Sequence, residues 1–357
     1  MHSKDCLQWL EKQGLLGVAK QNSVYFRKIF RDCLAAEDEE VLIISDLGHE
    51  GKQVAPLMAA SYYLAARKLN LNPGIVLQES KIKGEDADEE ITEALKSLRK
   101  GNIVIVCMSQ RMGKPSEEVG SSYRSFALEQ NHKWASALKL GDLDTAQFSY
   151  LVDAVNVDYK KLRQQAEKIK SQVDCASEIH VTADAGTDLY MGIEGKKALC
   201  NDGDYRKKGT GGNIPAGEVY IPPKWKNVEG TVVIDGSSSY RFGTQLIKEP
   251  IRLTIKKDEV VRIEGGQEAE NLRKTFDWAV KKAKHPWGIK RLCELGIGIN
   301  PKARIVGATT IDEKALGTAH VAFGSNYWFG GTIYAIIHLD QIFRNPKIEL
   351  DGKELKF

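Results

Sequence analysis

Short β-rich runs alternate with helix-patterned stretches through the first part of the chain, and this alternation constrains the fold more than any other feature. The runs "VLIIS" (41–45), "PGIVLQE" (73–79) and "NIVIVCMS" (102–109) are buried-strand candidates. Between them, "VAPLMAASYYLAARKLN" (54–70) and "ADEEITEALKSLRKG" (87–101) have helical spacing and good helix formers. That order predicts a parallel sheet covered by helices. An amphipathic helix is expected over 157–173. From about residue 178 the texture changes to β-rich runs separated by glycine-rich turns: "EIHVTAD", "DLYMGI", "GEVYIPP", "GTVVIDG" and "IRLTIKKDEVVRIEGG". One clear helix, "EAENLRKTFDWAVKKAK", interrupts them. A chain of 357 residues is comfortable for two domains. The expected class is α/β, with an N-terminal parallel-sheet domain over 1–174 and a C-terminal mixed α+β domain over 175–357.

Charge narrows the function. The 51 Lys and Arg residues against 48 Asp and Glu leave a net charge of +3, too even for a nucleic-acid footprint. No apolar run approaches the roughly 18 residues needed to span a bilayer. The opening "MHSKDCLQWLEKQG" carries both signs of charge and lacks a signal-peptide core. A cytoplasmic protein without membrane partners is the expectation. The six cysteines are scattered, with no C-x-x-C pair, and read as free thiols. In the first domain, "SDLGHEGKQVA" places Ser45, Asp46, His49 and Glu50 after a strand. It matches neither G-x-G-x-x-G nor a P-loop, and reads as a polar capping turn.

The second domain gathers the chemistry. In "IIHLD", His338 and Asp340 are two apart, so on a strand both face the same way and can chelate one divalent cation. An isolated H-x-D is more often a surface ion pair or a satisfied core histidine. This one is accompanied by His320 in "GTAHVAFG", Glu294 in "CELGIGIN" and Glu218 in "NIPAGEVYIPP". Each sits among apolar or glycine residues, where an ionised carboxylate must be paired. No basic residue recurs beside them, so a shared cation is the expected solution. Glycines at 217, 296, 298, 317, 324, 330 and 331 suit tight turns and close backbone approach. Three carboxylates with two neutral histidines carry −3, which two divalent ions turn into +1, favouring a bound hydroxide. Oxygen and nitrogen donors suit zinc, cobalt or manganese. This arithmetic predicts two divalent metal ions and a hydrolase.

The ordered segments "GTDL" (186–189), "NIPAGEVYIPP" (213–223), "EGTVVIDG" (229–236), "ELGIG" (294–298), "AHVAFGSNY" (319–327) and "HLD" (338–340) resemble the aminopeptidase T and aminopeptidase S family of metallopeptidases. The resemblance implies metal ligands at Glu218, Glu294, His320, His338 and Asp340, the same five residues. It also implies Tyr327 as an oxyanion donor, with core packing as the competing reading, and a homodimer. The family carries a further glutamate where this chain has Ala315; Glu313 is the candidate replacement, a solvated loop residue the alternative. "GGQEAENLRKTFD" (265–277) and "HLDQIFRNPKIELDG" (338–352) are also similar to the 2,5-dihydroxypyridine dioxygenases. Those hold one ferrous ion with two histidines and one carboxylate, have histidine at the position of Glu294, and do not use the residues matching Glu218 and His320 as ligands. Because the chain keeps the peptidase set, Glu218, Glu294 and His320 included, the leading expectation is a metalloaminopeptidase acting on peptides with a free N-terminus. Glu218 is then a ligand and the proton shuttle to the leaving amine. A mononuclear iron ring-cleaving dioxygenase is the alternative, and a non-catalytic metal-binding scaffold a third reading.

Overall fold

A computed structural model describes residues 3–120 and 122–356. Contacts divide the chain into two compact units, Met1–Lys160 with Gly203–Ala216, and Lys161–Asp202 with Gly217–Phe357. The sequence reading placed a single boundary at 174. By contacts the division falls at the start of the Tyr159–Val173 helix, and one later segment returns to the first unit.

The first unit contains the expected parallel sheet. Its strands run in the order Asn72–Gln78, Glu40–Asp46, Ile103–Cys107, Lys133–Ala137 and Gly211–Asn213, all parallel. Ile103–Cys107 is buried throughout, which is why it reads as a continuous apolar run rather than an alternating one. The edge strand Gly211–Asn213 belongs to the returning segment and carries no apolar signature. Asp46 ends the Glu40–Asp46 strand, where it accepts hydrogen bonds from Ser109 N, Ser109 Oγ and Gly48 N. That carboxylate is spent on holding the turn together.

The second unit is built from two seven-stranded sheets, and every strand pair recorded in them is antiparallel. One contains Glu178–Ala183, Thr187–Gly192, Val228–Ile234, Ile251–Lys256 and Glu259–Glu264, the runs expected from sequence. The other carries, side by side, Ser237–Tyr240, His338–Arg344, Thr318–Gly324, Leu292–Gly298, Glu218–Ile221 and Leu199–Asn201. The predicted helix forms over Gln267–Lys282, and its Phe276 meets Phe323 edge to face at 5.8 Å.

Register in this second sheet decides which side chains meet. Across antiparallel strands, directly opposed residues share a face. Glu218 opposes Gly298, Gly296 opposes His320, Glu294 opposes Ala322, Ala322 opposes Asp340, and Gly324 opposes His338. Glu218, Glu294, His320, His338 and Asp340 therefore all project from one face. The register shifts between Leu292 and Glu294, which leaves Cys293 as an extra residue. Without that shift Glu294 would oppose Val321 and point to the other face.

The residues interleaved among these five are glycine or alanine for a steric reason. A methyl group added at Gly296 would stand 2.1 Å from His320 Cε1, and one at Gly298 would stand 2.2 Å from the Ala315 carbonyl oxygen. Gly296 thus lets the His320 ring lie over the strand, and Gly298 lets the 309–317 segment fold back across it. Gly296→Ala is expected to destabilise the protein by ~1–3 kcal/mol, the usual range for overpacking a tight interior. Urea denaturation measures this; an unchanged midpoint would mean that His320 does not occupy the space above Gly296.

Candidate metal centre

On that sheet face, His320 is fully buried and Glu218, Glu294 and Asp340 nearly so, while His338 is partly exposed at the rim. His338 Nε2 lies 3.1 Å from Asp340 Oδ1 and 3.5 Å from Glu294 Oε2. The other Glu294 oxygen is 3.4 Å from His320 Nε2, which is also 3.8 Å from Glu218 Oε2. Glu294 therefore bridges the two histidines. All five ligands expected from sequence converge.

Local contacts fix how the imidazoles are presented. His338 Nδ1 is 2.8 Å from the Ser325 carbonyl oxygen, which can only accept. Nδ1 therefore carries the proton, and Nε2 is directed at Asp340 and Glu294. A metal-ligating histidine is held in this way. Ser325 is itself braced, its hydroxyl donating to the Ile333 carbonyl, while Asn326 donates to the Cys293 carbonyl and accepts from Ile333 N. The rings of Trp328 and Phe329 stand edge-on to His338, at 5.1 and 6.3 Å between centroids.

The electrostatics are those of an excess of buried negative charge. Burial opposes a proton on His320, yet Glu294, Glu218 and Asp340 outweigh it and push its pKa up to about 9. His338 moves the same way: burial opposes, and Asp340 dominates. The carboxylates draw positive charge onto whatever stands among them. Nitrogen and carboxylate oxygen donors in this number fit a divalent ion. Cys293 Sγ lies 3.7 Å from His338 Nδ1, but burial pushes its thiol up to about 11, so it remains protonated and packs as an apolar side chain.

Two features differ from the sequence reading. Glu313 does come to the site, and donor atoms of Glu218, Glu313 and His320 lie within 4.8 Å of one another. It arrives with Lys314, whose fully buried ammonium pairs with both Glu218 and Glu313. The expectation that no basic residue accompanies the carboxylates is thus corrected. "DEKALGTAH" contains the lysine, but a lysine within a run of charges reads as solvated, and only the fold-back over Gly298 buries it. Burial opposes the charge on Lys314, Glu218 and Glu313 outweigh it, and its pKa lies above the ordinary lysine value. Tyr327, by contrast, is 68% exposed and packs edge-on against Tyr334 at 6.3 Å.

Comparison with known proteins points away from the hydrolase expected from sequence. The NicX family, described as 2,5-dihydroxypyridine 5,6-dioxygenase, matches residues 153–356. A 2,5-dihydroxypyridine 5,6-dioxygenase of Pseudomonas putida KT2440 is 28% identical over 205 residues. That match covers 55% of this chain and 56% of the relative, so the chain spans little more than half of the relative's length. The solved structure of 2,5-dihydroxypyridine dioxygenase from Pseudomonas putida KT2440 superposes with a TM-score of 0.70 at 20% identity, covering 94% of this chain and 95% of that one. AmpT from Thermus thermophilus superposes with a TM-score of 0.61 at 18% identity, covering 94% and 97%.

At these identities the structural matches establish a shared fold, including the aminopeptidase T-like fold. The expectation of a metalloaminopeptidase, a protease and hydrolase of peptides, is overturned: the family match and the curated relative are both dioxygenases, and the peptidase likeness is confined to fold. The hydrolytic roles of Glu218 as proton shuttle and Tyr327 as oxyanion donor fall with it. Glu294 misled because its agreement with the peptidase pattern was weighed as evidence of activity, whereas the peptidase likeness is one of fold. With residues 153–356, more than half of its length, matching that family, the chain belongs to the NicX family of 2,5-dihydroxypyridine 5,6-dioxygenases.

Proposed function

We propose that the protein is an iron-dependent dioxygenase that opens a dihydroxylated aromatic ring, with a dihydroxypyridine as the substrate class. The observation that carries this reading is the convergence of His338, Asp340, Glu294 and His320 on one buried sheet face, in a chain of this family. The site residues would hold a single ferrous ion through His338 Nε2, Asp340 and Glu294, with His320 Nε2 beside Glu294 as the second imidazole. One ion replaces the two expected from sequence. Two imidazoles and a carboxylate are the donor set of non-haem ferrous oxygenases, and Glu294 adds a further carboxylate. A bound ferrous ion supplies the one-electron chemistry by which dioxygen reacts with an electron-rich ring.

The chain's own residues supply the rest. The Ser325 carbonyl fixes the tautomer and orientation of His338. Trp328 and Phe329 form an aromatic wall beside the exposed rim of that histidine, where a flat ring can pack edge-on or offset. Such a wall suits an aromatic substrate. No helix among the described residues is long and apolar enough to cross a membrane.

Protein loaded anaerobically with Fe(II) and mixed with 2,5-dihydroxypyridine and air should consume one dioxygen per ring opened. Ring absorbance should fall in step on a paired oxygen electrode and spectrophotometer. Absence of oxygen uptake by iron-loaded, folded protein, on that ring and on its dihydroxylated isomers, contradicts the reading. A second expectation concerns the ligands. His338→Ala should lower iron per chain at least tenfold and abolish turnover. Far-ultraviolet circular dichroism should stay unchanged, because His338 is the first residue of its strand and partly exposed. A variant that keeps its iron would show that the metal lies elsewhere.

A further inference from the structure

Glu218, Glu313 and His320 offer three donor atoms within 4.8 Å of one another, a spacing at which one cation can touch all three. The group adjoins the Glu294–His338–Asp340 cluster, because His320 Nε2 faces Glu218 on one side and Glu294 on the other. Two cation positions thus adjoin, and the single lone pair of His320 Nε2 can serve one of them at a time. At the second position stands the ammonium of Lys314, fully buried and paired with Glu218 and Glu313.

The backbone holds Lys314 there. Its N–H donates to the Ile311 carbonyl, and its own carbonyl accepts from Asn300 N at 2.7 Å. Leu316 N donates to the Asn300 carbonyl, so the segment is pinned on both sides of the lysine. Upstream, Asp312 accepts from Ser237 Oγ, Val306 N and Gly307 N, which anchors the turn that delivers it. Gly298 leaves the room for this turn to lie across the strand.

We propose that Lys314 is a built-in counter-cation that occupies the second position of a two-cation donor set and restricts the protein to one metal ion. The proposal rests on the metal-centre reading above. An ammonium neutralises charge and donates hydrogen bonds, but it has no coordination site for a water or substrate oxygen. It therefore pairs with Glu218 and Glu313 and fixes them in place without creating the paired ions on which two-metal hydrolysis depends. The same sheet face, with Lys314 in place, is left with one position for metal.

The test is equilibrium dialysis of metal-free protein against Mn(II), with metal per chain read by plasma mass spectrometry and folding read by thermal melting. Wild-type protein should saturate at one ion, Lys314→Arg at one, and Lys314→Met at two. The melting temperature of Lys314→Met should rise with Mn(II) by more than that of the wild type, because the second ion restores the missing charge. One ion in both wild type and Lys314→Met overturns the proposal and leaves the metal-centre reading standing. Two ions in the wild type overturn it as well, and no ion in the wild type removes the metal centre itself. Should Lys314→Met fold poorly, recovery on refolding with Mn(II) supports the proposal. Equal failure with and without the ion overturns it.

Discussion

The second unit depends on how it neutralises carboxylates that its sheet has taken out of water. Glu218, Glu294 and Asp340 are all nearly buried on one face. An unpaired charge in such a place is not tolerated. Losing the partner of a buried ion pair typically costs about 3–5 kcal/mol. The chain answers in two ways. Lys314 supplies a covalently attached cation for Glu218 and Glu313, and the histidines at the other end present nitrogen donors beside Glu294 and Asp340. The first is complete within the polypeptide. The second is the arrangement proposed above as a metal centre.

Strand register makes this possible. The five side chains of the candidate site come from four neighbouring strands, and they share a face only because each strand is in one particular phase. The extra residue at Cys293 brings Glu294 into that phase. Gly296, Gly298, Ala322 and Gly324 oppose the functional residues, leaving the room that a larger side chain would fill. The glycine density of the segment is therefore a property of the site: it reduces intrinsic strand stability so that an imidazole and a folded-back turn can lie against the backbone.

Much of this was legible in the sequence. The parallel sheet followed from strand–helix alternation, and the H-x-D pair declared its shared face through the two-residue strand period. What escaped detection had physical reasons. The Gly211–Asn213 strand has no apolar pattern, because it is a short edge partnered by Lys133–Ala137. Lys314 lies six residues before His320 and beside two acids, and its burial is set by a turn that local composition does not encode. The choice between hydrolase and dioxygenase was hardest, because both readings use a common fold and an overlapping donor set. Six ordered segments and the five-residue donor set, Glu294 among them, pointed to the peptidase. The charge count behind the expected second ion omitted Lys314, whose ammonium pairs with Glu218 and Glu313.

Anomalous diffraction at the iron edge, from anaerobically grown crystals of the Fe(II)-loaded protein, tests the central claim most directly. The account predicts one anomalous peak per chain, bonded to His338 Nε2, Asp340 and Glu294 with His320 Nε2 as the second imidazole, and the Lys314 ammonium still between Glu218 and Glu313. A peak between Glu218 and Glu313, or no peak on this face of the sheet, would contradict it.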